Sequence, residues 1–190
     1  MTIRDLRRIS ATCPATLIGA RNRAMLVLGF SIAARRSELA ELLLSDIADD
    51  PNGLIVTIRD SKTGLRQPVV PPGTDELTCA VRTWHAWLKA SGITSGRAFR
   101  NITRHGKLGD GITGKSINEI VTAAGKAAEI EVRLTGHSLR SGLATEARRA
   151  GHDAKTIAAQ GGWKDNSAVL YGYMQIVDRW ADNALKGIGL

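Results

Sequence analysis

Arginine, lysine, histidine, tryptophan and tyrosine recur along this chain in short clusters whose spacing invites a chemical reading. Arg35 and Glu38 stand three apart at the head of an apolar segment, so a helix there puts them on one face. His137 and Arg140 repeat that spacing in the run Gly136-His-Ser-Leu-Arg140. Lys62 sits in Ser61-Lys-Thr-Gly64, and Trp163 follows the glycine pair Gly161-Gly162. Tyr171 and Tyr173 lie two apart near the end of the chain. Together these types offer cationic groups for an anion, an imidazole for proton transfer, an indole N–H donor and a phenol oxygen. Taken singly, each also has an ordinary reading: a surface ion pair, a solvated turn lysine, a helix stop with a packed indole, or tyrosines in a core or groove.

The elements that must position these groups are mostly helices. Ile3, Leu6 and Ile9 indicate a short amphipathic helix, and the dense apolar run from Leu17 to Ala33 reads as a buried one entered after Pro14. A further helix is expected from Arg36 to Leu44, ending near Ser45-Asp46. The run Asp49-Asp50-Pro51-Asn52-Gly53 is a turn signal. Beyond it, Leu54 to Ile58 and Gln67 to Val70 read as two strands of a hairpin with Lys62 at its tip. Thr74 to Lys89 has helical periodicity, and a glycine-rich loop from Ser91 to Gly111 carries Arg97, Arg100, Arg104, His105 and Lys107. Helices are then expected at Lys115 to Ala128, His137 to Ala150, Ala154 to Gln160, Asn166 to Met174 and Asp178 to Leu185. The fold class is therefore α+β, mainly α-helical with one small antiparallel β-sheet.

Composition narrows the partners. With 26 basic against 18 acidic residues the net charge is +8, which favours a polyanion through counterion release and steering. The basic residues are dispersed, which suits a folded concave surface better than a disordered arm. The longest apolar run, Ala24 to Ala34, is interrupted by Gly29 and Ser31 and falls short of the ~20 residues of a membrane span. The N-terminal MTIRDLRR lacks the apolar segment of a signal peptide, so a soluble, non-secreted, cytoplasmic protein without a membrane partner is expected. Cys13 and Cys79 have no CxxC or metal-ligand spacing and read as two reduced, buried thiols.

In their order and intervals the clusters resemble the tyrosine recombinase (phage integrase) family, and the resemblance covers nearly the whole chain. It rests on Arg35-Arg-Ser-Glu-Leu39, Ser61-Lys-Thr-Gly64, His137-Ser-Leu-Arg140 and Gly161-Gly-Trp163 before a terminal tyrosine helix. It implies the DNA breaking-rejoining catalytic-core fold of that family. It also implies roles: Arg35 and Arg140 clamp the scissile phosphate, with planar forks that bind its oxygens bidentately and never lose charge. Lys62 protonates the departing 5′ oxygen, a step for which a placed proton donor contributes roughly 10²–10⁴-fold. His137 assists proton transfer and phosphate contact, and Glu38 supports the first arginine. Trp163 takes a position held by His or Trp in the family, where its N–H donates to a phosphate oxygen but cannot act as a base.

The resemblance leaves the nucleophile between two residues. The family's tyrosine usually lies nine residues beyond the His/Trp position, and here the offsets are eight and ten. Residues two apart on a helix point to nearly opposite sides, so Tyr171 and Tyr173 cannot both reach one phosphate. Tyr173 is preferred because Val169 and Leu170 precede it by four and three residues, like the pair that docks the family's tyrosine helix. Tyr171 is the alternative.

The reaction so implied is site-specific DNA recombination or integration. The strand is cut and rejoined through a 3′-phosphotyrosine with a free 5′ hydroxyl, and neither ATP, a cofactor nor a metal is needed. The sequence shows no Walker pattern and no carboxylate cluster. Double-stranded DNA is the expected partner, with a homotetramer on DNA for a full-length protein and a monomer for an isolated domain. Residues 1–190 are expected to form a single catalytic domain, without the N-terminal core-binding domain that closes the family's DNA clamp. Alone it should bind DNA weakly and with strong salt dependence. The C-terminal Trp180, Leu185, Ile188 and Leu190 could pack on their own domain or on a neighbouring protomer, and the sequence does not choose. Rival readings are a type IB topoisomerase-like enzyme and a catalytically silent DNA-binding protein of the same fold. An unrelated basic helical RNA- or membrane-binding protein would account for the charge but not for the ordered motifs.

Overall fold

The computed structural model describes residues 1–59, 64–181 and 183–189, without the side chains of Trp180 and Ala181. Lys62, with the rest of the expected hairpin tip at 60–63, and Leu190 lie outside the described residues. The order is α1 (Ile3–Thr12), α2 (Leu17–Ser31), α3 (Arg36–Glu41), β1 (Ile47–Asp50), β2 (Gly53–Val56), β3 (Val69–Val70), α4 (Ala80–Ser91), α5 (Gly114–Ala127), α6 (His137–Arg149), α7 (Ala154–Gly161) and α8 (Ala168–Ala181). It is a mainly helical fold with one antiparallel sheet in the order β1-β2-β3.

Helix α2 forms the centre because its sequence has no polar face from Ala24 to Phe30, and every residue there is buried. The helix α4 packs along it with Trp84 and Trp87, and α6 crosses it through Leu139. Gly29 makes that crossing close: a Cβ there would lie 2.8 Å from Leu39 Cδ1 and 3.1 Å from Leu139 Cδ1. At the start of the chain, α1 is fixed by a capping box, with Asp5 N–H donating to Thr2 Oγ1 at 3.1 Å and Thr2 N–H to Asp5 Oδ2 at 2.7 Å.

Several expected elements differ from those observed. The helix expected from Arg36 to Leu44 stops at Glu41, and a 3₁₀ turn over Leu44–Asp46 follows, because the buried Asp46 carboxylate turns back to accept from Leu43 N–H at 3.0 Å. Asp49 and Asp50, read as part of a turn, belong to β1 and pair with Leu54 and Gly53. Residues 74–79 are not helical: Asp75 Oδ1 accepts from Leu77 N–H at 2.9 Å and Thr78 N–H at 3.1 Å, holding a local turn, and α4 begins only after Cys79. The two helices expected at the C-terminus are one continuous α8, and Leu185 falls beyond it. Cys79 is buried as expected, whereas Cys13 is only half-buried at the end of α1. Leu185 and Ile188 are both 59% exposed. No helix among the described residues is long and apolar enough to cross a membrane.

Candidate active site

The site is assembled where the N-termini of α3 and α6 meet the C-terminus of α7 and one face of α8. Helix α2 ends at Ser31, and Ala33 takes the left-handed conformation at φ +48°. This is a costly state for a residue with a Cβ, of order 1–3 kcal/mol, and such strain clusters at functional sites. It turns the chain so that the Ala33 carbonyl accepts from Arg140 Nη1 at 2.9 Å. Arg35 then caps α3 and Glu38 occupies the third helical position.

Glu38 is an anchor of the arginines. Its side chain is 1% exposed, and it accepts from Arg35 N–H at 2.9 Å and from Arg66 Nη2 at 2.7 Å. Its other oxygen pairs with Arg35 Nη1. Burial alone would push this carboxyl up, but the Arg35 backbone N–H and the Arg66 charge outweigh it and hold the group below the ordinary carboxylate value. Glu38 is thus an ionised carboxylate inside the protein, and Arg35, 24% exposed, is held with part of its fork turned outward.

Arg140 is more deeply seated, at 4% exposure. Its Nη1 donates to the carbonyls of Ala33 and Gly161, its Nη2 reaches Gly162 O at 3.4 Å, and its guanidinium carbon lies 3.8 Å from the Trp163 ring centroid. Burial, then the like charge of Arg35, lowers its pKa to about 10, which leaves it protonated at neutral pH. Glycine is required where α7 ends. A Cβ on Gly161 would lie 1.8 Å from the Trp163 ring, and Gly162 adopts φ +64° to stop the helix. The Gly161-Gly162-Trp163 run therefore does two jobs, presenting carbonyls to Arg140 and folding an indole over it.

His137 opens α6 and is exposed, and its Nε2 shares a hydrogen bond of 2.5 Å with the Tyr173 hydroxyl. The Tyr173 ring meets Trp163 edge-on at 6.3 Å between centroids. Burial raises the pKa of its phenol and the Arg140 charge draws it down less strongly, so the hydroxyl is protonated at neutral pH. Tyr171 points elsewhere: it is 40% exposed, and its hydroxyl reaches Asn166 Oδ1 at 3.5 Å. The two tyrosines do face different sides of α8. The docking pair differs from expectation, however. Leu170 is buried at 2% but Val169 is 58% exposed, and Met174, at 4%, supplies the second apolar contact.

A cleft of about 510 Å³ opens in front of these groups, bordered by Arg35, Arg36, Asn118, His137 and Arg140. Asn118 shapes it by accepting from Gly136 N–H at 3.0 Å, which seats the start of α6 against α5. The structure therefore brings Arg35, Glu38, His137, Arg140, Trp163 and Tyr173 together. Arg66, buried at 8%, was not singled out from the sequence. Its signal is its register: Leu65 and Gln67 are exposed while Arg66, Pro68 and Val70 are buried, so an arginine stands on the inward face of the returning strand.

Known proteins share this fold. Residues 1–179 match the phage integrase family. An integrase/recombinase XerD homologue of Selenomonas ruminantium is 36% identical over 176 residues, covering 90% of this chain and 51% of that protein. The chain thus spans about half the length of this relative. Among solved structures, the XerA recombinase superposes with a TM-score of 0.72 at 18% identity, covering 97% of this chain and 62% of the other. The XerH site-specific recombinase, crystallised with a palindromic difH substrate as a post-cleavage complex, gives 0.72 at 15% identity, covering 95% and 50%.

Proposed function

The chain belongs to the phage integrase family, and from that premise we propose that it cuts and rejoins duplex DNA at a specific site, with Tyr173 as nucleophile. The observation that carries this reading is the Tyr173 hydroxyl on His137 Nε2 at 2.5 Å, beside a cleft lined by Arg35 and Arg140. In the reaction the Tyr173 oxygen forms a bond to the scissile phosphorus and the bond from phosphorus to the 5′ oxygen breaks. The phenol proton passes to His137 or to solvent. Lys62 protonates the departing 5′ oxygen. Arg35 and Arg140 take up the charge that builds on the non-bridging oxygens, and the Trp163 N–H donates to one of them. The product is a 3′-phosphotyrosine with a free 5′ hydroxyl. The phosphodiester energy stays in that link, so rejoining is the same displacement reversed and consumes no ATP. Cationic side chains supply the electrostatic stabilisation that a metal ion supplies elsewhere.

Double-stranded DNA is the partner this reading requires, as in the DNA-bound XerH relative, and assembly into a homotetramer on DNA goes with it. The net charge of +8 supplies the attraction. Residues 1–190 are read as one catalytic domain, gripping the duplex from one side. Used by itself the chain should bind a short duplex weakly, with affinity falling steeply between low and physiological salt.

The test is a pool of nicked suicide duplexes with randomised half-sites, from which covalent protein–DNA adducts are isolated and sequenced. The reading requires adducts on a recurrent sequence, lost in Tyr173→Phe and retained in Tyr171→Phe. Loss in Tyr171→Phe alone would move the nucleophile by two residues. Adducts without sequence preference, with relaxation of supercoils, would make the chain a topoisomerase-like enzyme. DNA binding with no adduct would make it a silent member of the fold.

A further inference from the structure

Resting on that reading, we propose that Arg66 is a positioning residue of the active site: it ties the Ile58–Arg66 bridge to Glu38, and through Glu38 sets the Arg35 guanidinium for the phosphate.

Arg66 lies on the strand returning from the hairpin tip, bridged to Ile58 by Ile58 N–H to Arg66 O at 2.9 Å and Arg66 N–H to Ile58 O at 3.1 Å. Its side chain, 7% exposed, turns into the protein instead of toward solvent. There it touches the other walls of the site. Nη2 donates to Glu38 Oε2 at 2.7 Å, and Nη1 donates to Ile32 O at 2.9 Å and Gln160 O at 3.1 Å. The carbonyls it uses stand next to those that hold Arg140, which binds Ala33 and Gly161. Two arginines from different elements therefore grip the same two chain segments at consecutive carbonyls. Gln160 reinforces this, its Nε2 donating to Ser31 O at 2.9 Å and Val69 O at 3.1 Å. A shift of the hairpin must then be felt at both phosphate-facing arginines.

Stability gives a poor reason for such a group. A buried ion pair rarely outperforms a well-packed apolar replacement, because desolvation offsets its attraction. Among the described residues, the buried Nε of Arg66 also lacks a hydrogen-bond partner, a further cost. The arrangement makes sense as charge balance around Glu38, which is faced by Arg35 and Arg66 with Arg140 close by. With Arg66 on Oε2, only one Nη of Arg35 is needed on Oε1, and the rest of that fork stays available to an anion. Without Arg66, the carboxylate would be left to Arg35 alone and would draw it inward, away from the cleft.

The experiment uses the full chain and compares Arg66→Met, Arg66→Lys, Glu38→Gln and the double variant Glu38→Gln/Arg66→Met. Two readouts are taken. One is the single-turnover rate of adduct formation at saturating DNA, on the nicked duplex selected from the randomised pool. The other is the titration of the Glu38 carboxyl by carbon-13 NMR without DNA. Displacing a clamp by an ångström or less should slow cleavage by roughly 10–100-fold in Arg66→Met, while duplex affinity changes less than about threefold. Arg66→Lys should recover at least half of the loss on a logarithmic scale, the double variant should be no slower than Glu38→Gln, and the Glu38 midpoint should move upward in Arg66→Met. A merely structural role would lower the melting temperature and make the two losses multiply. Should Arg66→Met fail to fold, the neutral Arg66→Gln takes its place: cleavage at the wild-type rate overturns the proposal. A wild-type chain that forms no adduct refutes the recombinase reading. The Glu38 titration still judges Arg66 in that case, and an unmoved midpoint sinks it.

Discussion

Two hydrophobic clusters divide the labour in this molecule. The large one joins α1 to α6 with the sheet, including Leu26, Leu28, Leu39, Trp84, Phe99 and Leu139, all at 1% exposure or less. The small one consists of Ala144, Ile157, Ala158, Leu170 and Met174, where α6, α7 and α8 meet. Arg35 and Arg140 are rooted in the first. Arg35 and Glu38 flank the buried end of α2, and Arg140 follows Leu139 directly. Tyr173 depends on the second. Beyond Leu170 and Met174, α8 is tied down by an Arg148–Asp178 ion pair of 2.6 Å and by Thr145 Oγ1 to Tyr173 O at 3.5 Å. Val169 and Ile176, also on α8, are 58% and 60% exposed. The arginines proposed to hold the anion are therefore built into a rigid interior, while Tyr173, the proposed nucleophile, rides on a lightly anchored helix, and local opening draws on such regions first.

The largest expected effect tests the rigid side. Arg140→Ala should cut single-turnover adduct formation by about 10²–10³-fold or more, the scale of losing a preorganised charge donor. It should also cost about 1–3 kcal/mol in urea unfolding, because the Ala33 and Gly161 carbonyls lose their donor. Arg140→Lys should recover little, since an ammonium cannot reproduce the fork or stack on Trp163. Unchanged cleavage in Arg140→Ala would remove the clamp from the mechanism.

Next comes a direct comparison of the clusters. Leu26→Ala should lower global stability by about 2–5 kcal/mol, as other buried leucine truncations do. Leu170→Ala removes a side chain just as buried, at 2%, yet its cost should fall mainly on α8. Hydrogen exchange should accelerate in 168–181 and adduct formation should slow, with the urea midpoint moving less than half as far as in Leu26→Ala. Equal midpoint shifts would mean that the two clusters unfold as one unit, and the contrast would be lost.

What the sequence disclosed follows the same division. Helices with a continuous apolar stripe or core, such as α2 and α5, were legible because the periodicity itself reports burial. The order of the arginine, histidine and tryptophan clusters was legible because each is short and local. Asp46 and Asp75 were harder: both carboxylates cap turns, and those local hydrogen bonds override the helical pattern around them. For Arg66 only the inward register lies in its own neighbourhood; its partners Ile32, Glu38 and Gln160 come from three distant segments and could not be read there. Val169 was misplaced because a residue four before Tyr173 shares its side of the helix but is buried only where neighbouring elements cover that turn, and here they do not.

A smaller effect concerns acid–base behaviour. Burial holds the Tyr173 phenol above its ordinary value and the Arg140 charge opposes this, so the neutral phenol is the form the fold prefers. The associated stabilisation is fully present below the phenol's unfolded pKa and is lost as pH rises through the higher folded one. The ultraviolet titration difference between wild type and Tyr173→Phe should therefore show a midpoint above that of a free tyrosine, moving further up in Arg140→Gln. A midpoint below that of free tyrosine would show instead that the site activates its nucleophile before DNA arrives.

The smallest effect belongs to the other tyrosine, and it bears directly on the contrast between the regions. Tyr171 is 40% exposed, and its hydroxyl makes one long contact to Asn166 at 3.5 Å. Replacing it with Phe removes that contact while keeping the ring, so stability should stay within about 0.5 kcal/mol of wild type, as at most surface positions. Adduct formation should stay within about twofold on the same grounds, because a half-turn of α8 separates its side chain from His137. The outcome is informative because α8 is lightly held. If the helix rotated on binding DNA so that Tyr171 entered the cleft, Tyr171→Phe would abolish the adduct although its stability effect remained negligible. Only that pairing, full loss of chemistry with no loss of stability, would show that the helix exchanges its faces. Near-silence in both measurements fixes its register with Tyr173 inward.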